Sequence, residues 1–447
     1  MEKKIKKNRR ENHTHNINTE KQDKYYKNYI EEKINEFNTN GKQTILYFCD
    51  TYYPIIDGVI KVLDNYATLI SDRYNVVVVV PKHKNSRIVS NPHYLVIGTA
   101  SIYFKFVNYD LAFPDNDTYL KSTLKKLKVH LIHAHSPFNM GIFARKLAQK
   151  LKIPFIMTLH SRYKQDFYNH TKNEAITKAL LKNIMKVYNK SDEVWTMHDL
   201  CIKELISYGY KGKIYKVPNA TDYEIPSNPE KLESYVNEKY NLAPNDLVFL
   251  FVGRLVKQKN ILFIVESLKL LKDKNIKFKM FFVGPGPDEA ELKAKIKELG
   301  MEEDVILTGK IMDREKLFSF YQRANLFLFP STYDASSIVQ IEAAAYKTPG
   351  VFIEGCVTAN GIVHNQNGFL SKETHEDFAQ VILNAISDKE NLKRVSENAQ
   401  NDLYINWKQV SEIVKDRYDY HIKRNAKKQE KINNLKELKK EKTKKDI

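Results

Sequence analysis

The sequence predicts an α/β protein built from two doubly wound, parallel-sheet domains, and three observations predict it. First, short apolar runs read as strands buried on both faces: TILYFCD at Thr44–Asp50, charged only at its last residue, VVVVV at Val76–Val80, LVFLFV at Leu247–Val252 and LFLF at Leu326–Phe329. Second, amphipathic helical patterns lie between the runs, which is the alternation of a parallel sheet. Third, the series begins again after a polar, proline-bearing stretch at 223–245. A chain of 447 residues has room for two or three domains.

The expected organisation is a basic extension over 1–43, disordered or loosely helical, a first Rossmann-like domain over 44–222 and a linker over 223–245. A second domain follows over 246–395, then C-terminal helices over 396–420 that could pack back on the first domain, and a basic tail over 421–447. Net charge is +18. Residues 1–43 hold 11 Lys+Arg against 7 Asp+Glu, and residues 421–447 hold 11 against 4. Such ends suit an anionic partner, acidic lipid or nucleic acid, or are simply solvated. A nucleic-acid binder is disfavoured because no aromatic-basic interleaving or recognised module is present. Cys49, Cys201 and Cys356 are far apart, without disulfide or zinc spacing, which fits a reducing cytoplasm. The N-terminus lacks an apolar signal core, and no apolar run reaches the roughly 18 residues of a spanning helix. The expected location is cytoplasmic, with peripheral membrane contact.

In the first half, TILYFCD is followed by TYYPIIDGV and a helix from about Val59 to Ser71. Gly58, at the loop's end, permits close approach of a ligand to the backbone. The triplet Asp115–Asn116–Asp117 follows Pro114 and reads as a turn with a helix cap rather than a metal site. VHLIHAH at Val129–His135 and the strand Pro154–Leu159, ending at His160-Ser161-Arg162, each deliver polar residues to a strand's C-terminal end. A helix over 172–190 carries Lys178, Lys182, Lys186 and Lys190 as one stripe, with Leu180, Leu181, Ile184, Val187 and Tyr188 apolar. It could rest on anionic lipid, or be an ordinary surface helix with lysine outward.

In the second half, LVFLFV turns at GRLVKQKN (Gly253–Asn260), and a strand at Phe278–Val283 leads to GPGPDEAEL. Val305–Leu307 precedes Thr308-Gly309-Lys310. The stretch Leu326–Pro349 places Asp334 in a loop after a buried strand and Glu342 about a turn and a half into the next helix. Amides at Ser336, Ser337 and Ile338 would open that helix, a position suited to phosphate.

These motifs, taken in order over about 44–420, resemble the family 4 glycosyltransferases, and in particular bacterial diacylglycerol and glycolipid α-glycosyltransferases. PSTYD…IEAAAYKTP is similar to the family's paired-acid signature, GRLVKQKN to GRLxxxKG, PNATD to PNGVD, and NYDLAFP to a segment of members acting on lipid or mannoside acceptors. The chain departs from the pattern at Asp334 (usually Glu), Ser337 and Asn260 (usually Gly), and at CVTAN, where a glycine pair is usual.

The resemblance implies a GT-B architecture, two Rossmann-like domains facing across a cleft, and a retaining, metal-independent transferase. Its nucleotide-sugar donor, a UDP-sugar, is a co-substrate, and no cofactor is implied. By resemblance, Gly58, Arg254, Lys259 and the amides of Ser336, Ser337 and Ile338 stabilise the donor phosphates, and Gly309 and Lys310 lie near the base. Asp334 orients sugar hydroxyls, Glu342 the ribose, and His160 contacts the sugar. The expected acceptor is a membrane lipid such as diacylglycerol or a glycolipid. The alternatives are a capsule or cell-wall glycan, or a non-catalytic partner of another transferase.

Overall fold

The computed structural model describes residues 24–53, 58–82, 91–104, 109–225, 227–332 and 338–445. The chain divides into two compact units: Met1–Thr196 with Ile202–Val217 and Ser411–Ile447, and Met197–Cys201 with Pro218–Val410.

The first unit opens with α1 (24–39), followed by β1 (Thr44–Phe48), α2 (Gly58–Ile70), β2 (Asn75–Pro81) and β3 (Leu95–Thr99). An antiparallel hairpin, β4 (Ser101–Phe104) and β5 (Tyr109–Ala112), leads to α3 (Thr118–Lys125). Then come β6 (Val129–Ala134), α4 (Asn139–Leu151), β7 (Phe155–Thr158), α5 (Tyr163–Thr171), α6 (Glu174–Tyr188), β8 (Glu193–Thr196), α7 (Asp199–Ser207) and β9 (Ile214–Lys216). The strands form one parallel sheet in the order β3-β2-β1-β6-β7-β8-β9. The order reverses between β1 and β6. Every residue of β1 and β2 is buried, as a sheet covered on both faces requires.

The second unit contains α8 (Pro229–Tyr240), β10 (Val248–Val252), α9 (Ile261–Asp273), β11 (Lys279–Val283), α10 (Glu289–Glu298), β12 (Val305–Gly309) and α11 (Arg314–Arg323). It continues with β13 (Leu326–Leu328), α12 (Ile338–Ala345), β14 (Gly350–Ile353), β15 (Phe369–Ser371), α13 (His375–Ser387) and α14 (Lys389–Leu403). Its six parallel strands are ordered β12-β11-β10-β13-β14-β15, so the reversal falls between β10 and β13. Phe249, Phe251, Phe281, Phe282, Phe327 and Phe329 fill the core around these central strands.

Three expected segments differ from the sequence reading. Residues 24–39 of the extension, expected to be disordered or loosely helical, form the packed helix α1, with Ile30 and Ile34 fully buried. Tyr26 donates its hydroxyl to the Val96 carbonyl at 2.7 Å and so satisfies the outer edge of β3. The expected linker 223–245 contains α8, whose Val236 is buried and whose Asn237 accepts from Arg323 Nε at 2.6 Å. Polar composition misled there because a few apolar side chains, Leu232, Tyr235, Val236 and Tyr240, and the buried Arg323 are enough to anchor the helix. The expected tail 421–447 continues α15 (Trp407–Lys445) as helix. Lysine and glutamate are good helix formers, and the first turns of α15 provide the costly nucleus.

α15 is anchored in the first unit over 411–422. Val414, Tyr418 and Ile422 are buried, and Lys415 donates to Asp72 Oδ2 at 2.7 Å. Arg417 grips the buried Glu193 carboxylate with Nε at 2.7 Å and Nη2 on the second oxygen. Burial alone would raise the Glu193 pKa. Hydrogen bonds from Arg417, His421 and Trp195 outweigh it and hold the carboxyl down at about 2.

The expected helix 172–190 starts at Glu174, because Lys172 is left-handed (φ 49°) and Asn173 caps α6 by accepting from Ala175 and Ile176. Lys178, Lys182 and Lys186 are exposed on it, while Lys190 lies beyond its C-terminus. Leu181, Ile184, Val187 and Tyr188 are buried in the core. Most of the apolar face expected beside the lysine stripe is therefore spent on packing, while Leu180 is half-buried and Ile176 exposed.

Candidate active site

In open α/β sheets, ligands bind outside the carboxyl ends of strands where the strand order reverses. In the second unit that point lies between the loop after β10, which carries Arg254 and Lys259, and the loop after β13, which leads to Asp334. Loop 253–260 is held in place by backbone bonds. Gly253 N donates to Val283 O at 2.9 Å, Leu255 N to Pro285 O at 2.9 Å, and Asp288 N to Leu255 O at 3.2 Å. The next loop packs so closely that a Cβ on Gly284 (φ +135°) would sit 2.0 Å from the Gly253 carbonyl. This is the physical need behind GPGP. Gly284 N also donates to Gly309 O at 3.0 Å, so Gly309 and the exposed Lys310 join the same group of loops.

Arg254 is exposed, and among the described residues its guanidinium has no hydrogen-bond or ion-pair partner. Lys259 is partly buried, its ammonium 5.1 Å from the Phe329 ring centroid. Asn260 stands where the resembling pattern has glycine. Its φ of 54° is left-handed, a conformation that asparagine tolerates better than other non-glycine residues. The loop over 333–337, with Asp334, Ser336 and Ser337, lies outside the described residues. Ile338 opens α12. Glu342, one turn on, is buried and accepts from the Tyr321 hydroxyl at 2.8 Å. Burial, then the adjacent carboxylate, pushes the Tyr321 pKa well above its usual value, so this phenol stays a proton donor.

In the first unit, Gly58 begins α2, and a Cβ there would meet no atom within 4 Å. Glycine at 58 is thus not demanded by packing among the described residues. The reversal point between β1 and β6 holds Asp50, whose carboxylate accepts from Ser136 Oγ at 2.6 Å and from Met140 N at 3.0 Å. Burial raises its pKa to about 6 in spite of these bonds. One strand further along, His160 Nε2 meets His135 Nδ1 at 3.0 Å, the rings stacked with 5.3 Å between centroids. His135 stacks in turn on His133 at 4.3 Å. His133 is fixed at both nitrogens, Nδ1 to Tyr418 Oη at 2.6 Å and Nε2 to Thr158 Oγ1 at 2.7 Å. Burial lowers all three imidazole pKa values, that of His160 to about 3 and the other two well below the usual range. His160 is therefore a neutral hydrogen-bonding group at physiological pH, not a charged one.

The structure brings Arg254, Lys259, Gly309 and Lys310 onto neighbouring loops of the second unit, and places His160 and Gly58 in the first. Sequence reading missed Tyr418, which lies 285 positions from His133 and carries no local signal. It also missed Tyr321, the partner of Glu342. Asp117 is the cap of α3, accepting from Leu120 N at 2.8 Å, and it also accepts from Thr99 Oγ1 at 3.1 Å and Ala100 N at 2.9 Å. Asp115 pairs with Lys146 at 2.7 Å. That triplet is thus occupied by structure.

Comparison with known proteins agrees with this geometry. Residues 56–225 match the family Glycosyltransferase Family 4, and residues 236–402 match Glycosyl transferases group 1. The alpha-monoglucosyldiacylglycerol synthase of Streptococcus pneumoniae is 24% identical over 352 residues, covering 76% of this chain and 77% of that protein. The synthase of the same name from Acholeplasma laidlawii is 22% identical over 366 residues, covering 79% and 90%. Among solved structures, Anabaena HepE in complex with UDP superposes with a TM-score of 0.67 at 16% identity, covering 85% of this chain and 100% of that one. Sucrose-phosphate synthase from Thermosynechococcus elongatus gives 0.63 at 19%, covering 85% and 99%. The chain is therefore a glycosyltransferase of GT-B architecture, a Glycosyltransferase Family 4 domain followed by a Glycosyl transferases group 1 domain, similar to bacterial glycolipid-forming transferases.

Proposed function

We propose that the protein transfers a hexose, with retention, from a UDP-sugar to a membrane lipid acceptor such as diacylglycerol or a glycolipid, without a catalytic metal. The observation that carries this reading is the similarity over three quarters of the chain to two alpha-monoglucosyldiacylglycerol synthases. The UDP complex of a structural neighbour supports the choice of nucleotide.

In this reading Arg254 and Lys259 neutralise the diphosphate as the glycosidic bond breaks, a role suited to an unpaired guanidinium and a partly desolvated ammonium. Amides at the start of α12 add fixed partial positive charge. Asp334 orients the sugar hydroxyls and Glu342 the ribose. Glu342 would act from the position set by Tyr321. His160, kept neutral, offers a hydrogen bond to the sugar. The departing phosphate oxygen accepts the acceptor's hydroxyl proton, so no protein base is required.

No helix among the described residues is long and apolar enough to cross a membrane. We place the enzyme on the cytoplasmic face of the membrane, held by charge through Lys178, Lys182 and Lys186 and the basic end of α15. A second reading, transfer to a glycan or polyprenol-linked acceptor, draws on similarity to an Escherichia coli diphosphoundecaprenol galactosyltransferase (26% over 313 residues) and to Staphylococcus aureus CapM (27% over 168 residues).

The test incubates the purified protein with a panel of nucleotide sugars and either diacylglycerol vesicles or polyprenol-linked acceptors, followed by mass analysis. A hexosyl-diacylglycerol product formed from a UDP-sugar supports the first reading, and a product only on polyprenol-linked acceptor the second. No product and no donor hydrolysis would favour a non-catalytic partner.

A further inference from the structure

Two of this chain's departures from the resembling pattern meet at one place, the backbone at the reversal point of the second sheet. Asn260 is the residue before α9, and its side chain makes no capping bond to that helix. An asparagine there ordinarily accepts from the second or third helical amide, and this one forgoes that bond. Its carboxamide turns the other way. Nδ2 donates to the Pro330 carbonyl at 3.0 Å and to Glu373 Oε1 at 3.2 Å. Both partners are acceptors, so the two amide hydrogens are each used and the orientation of the group is dictated.

The adjoining carbonyl, that of Ser331, accepts from Thr358 Oγ1 at 2.6 Å, and Thr358 and Ser331 are both buried. Thr358 belongs to CVTAN, the run that replaces the usual glycine pair. Consecutive carbonyls at the exit of β13 are thus held from opposite sides, by a side chain of the loop after β10 and by one following β14.

We propose that Asn260 and Thr358 are positioning residues that fix Pro330 and Ser331, at the exit of β13, beside the Arg254–Lys259 loop, and that donor binding depends on this pair of pins. The inference rests on the UDP-sugar reading above. Its physical content is that side chains here supply the order that a tighter, glycine-rich backbone would otherwise supply. Neither residue needs to touch the donor. Each acts by setting where backbone groups on either side of the reversal point stand, and a small displacement of such groups weakens every contact made to a phosphate.

The test uses the full chain. Asn260→Gly keeps the left-handed backbone and removes the carboxamide. Asn260→Asp keeps the shape and removes both donors. Thr358→Val removes the hydroxyl, and Thr358→Ser retains it. Calorimetric titration with UDP should show affinity reduced about five- to tenfold in Thr358→Val, the loss expected for one hydrogen bond, and at least as much in the two Asn260 variants, which lose two, with Thr358→Ser near the parent. Donor KM should rise while acceptor KM stays constant, a split that general destabilisation would not produce.

Amide exchange without ligand in peptides covering Leu328–Thr332 should be faster in Asn260→Gly and Asn260→Asp than in the parent. Unchanged exchange together with unchanged UDP affinity in the Asn260 variants overturns the proposal. A parent that binds no UDP, with exchange still accelerated in the variants, overturns the donor reading and leaves the pins standing.

Discussion

Acidification should unfold the first unit by a route that can be assigned to single histidines. His133, His135 and His160 have folded pKa values depressed by burial, that of His160 to about 3. Their ordinary value is near 6.5. A base with a depressed folded pKa contributes stability that is complete above its unfolded pKa and lost as pH falls from there toward the folded value. At pH 5 the unfolded chain has protonated His160 and the folded chain has not, which costs about 2 kcal/mol, and His133 and His135 add to the loss in the same direction.

Asp50 works in the opposite sense. Its folded pKa, raised to about 6, favours the folded state at low pH, and that advantage is lost as pH rises through 6. At pH 5 it returns about 1.5 kcal/mol relative to pH 7.5. His160 alone thus offsets what Asp50 returns, and His133 and His135 make the net change between pH 7.5 and 5 a loss of stability.

The assay is urea unfolding followed by Trp195 fluorescence. Trp195 is buried and stacks on Tyr418 with 5.3 Å between centroids, so it reports on this cluster. The chain has 2 tryptophans, and Trp407→Phe leaves Trp195 as the only probe. In that background His133→Phe should lower stability at pH 7.5 by about 1–3 kcal/mol, since Tyr418 and Thr158 lose a partner. It should also shrink the loss between pH 7.5 and 5, because one depressed group is gone. An identical pH-dependent loss in parent and variant would refute the claim that His133 is held neutral.

Arg254→Ala and Lys259→Ala should each reduce turnover on the order of a hundredfold, checked by steady-state kinetics with saturating acceptor, because charge-assisted contacts to the leaving group act in the transition state. Tyr321→Phe removes the hydroxyl that Glu342 accepts from, and thermal unfolding should show a loss of about 1.5–3 kcal/mol, while unchanged stability would mean water replaces the phenol. Chelation by EDTA should leave turnover intact; Asp115→Ala should be nearly silent in melting, and Asp117→Ala should cost about 1 kcal/mol or more as a lost helix cap. Replacing Lys178, Lys182 and Lys186 by Glu should weaken vesicle binding in proportion to anionic lipid content and leave UDP affinity unchanged; equal vesicle binding would show that the stripe is solvated surface.

The sequence by itself determined the two sheets and the order of the loops that bear the candidate site. Uncharged runs such as VVVVV and LVFLFV can only be strands covered on both faces, and their alternation with helical patterns allows few other topologies. Arg254, Lys259, Glu342 and His160 stand out as candidates because each sits in a local motif at a strand or helix end. Asp117 was read as a cap for a local reason as well, the turn after Pro114.

What only the tertiary structure decided are relations between distant positions. The pairing of Tyr418 with His133, of Tyr321 with Glu342, of Asn260 with Pro330 and of Thr358 with Ser331 each joins residues that periodicity cannot connect. The same holds for segments whose composition is polar but whose few apolar residues find a partner. Ile30 and Ile34 make α1 part of the first unit, and Val236 makes α8 part of the second. α6 shows the converse. Its lysine stripe is legible in the sequence, but whether the apolar face beside it meets the core or a bilayer depends on what packs there, and here Leu181, Ile184, Val187 and Tyr188 are buried in the core. Burial is a property of the assembled fold, and with it come the depressed imidazole pKa values that keep His160 neutral.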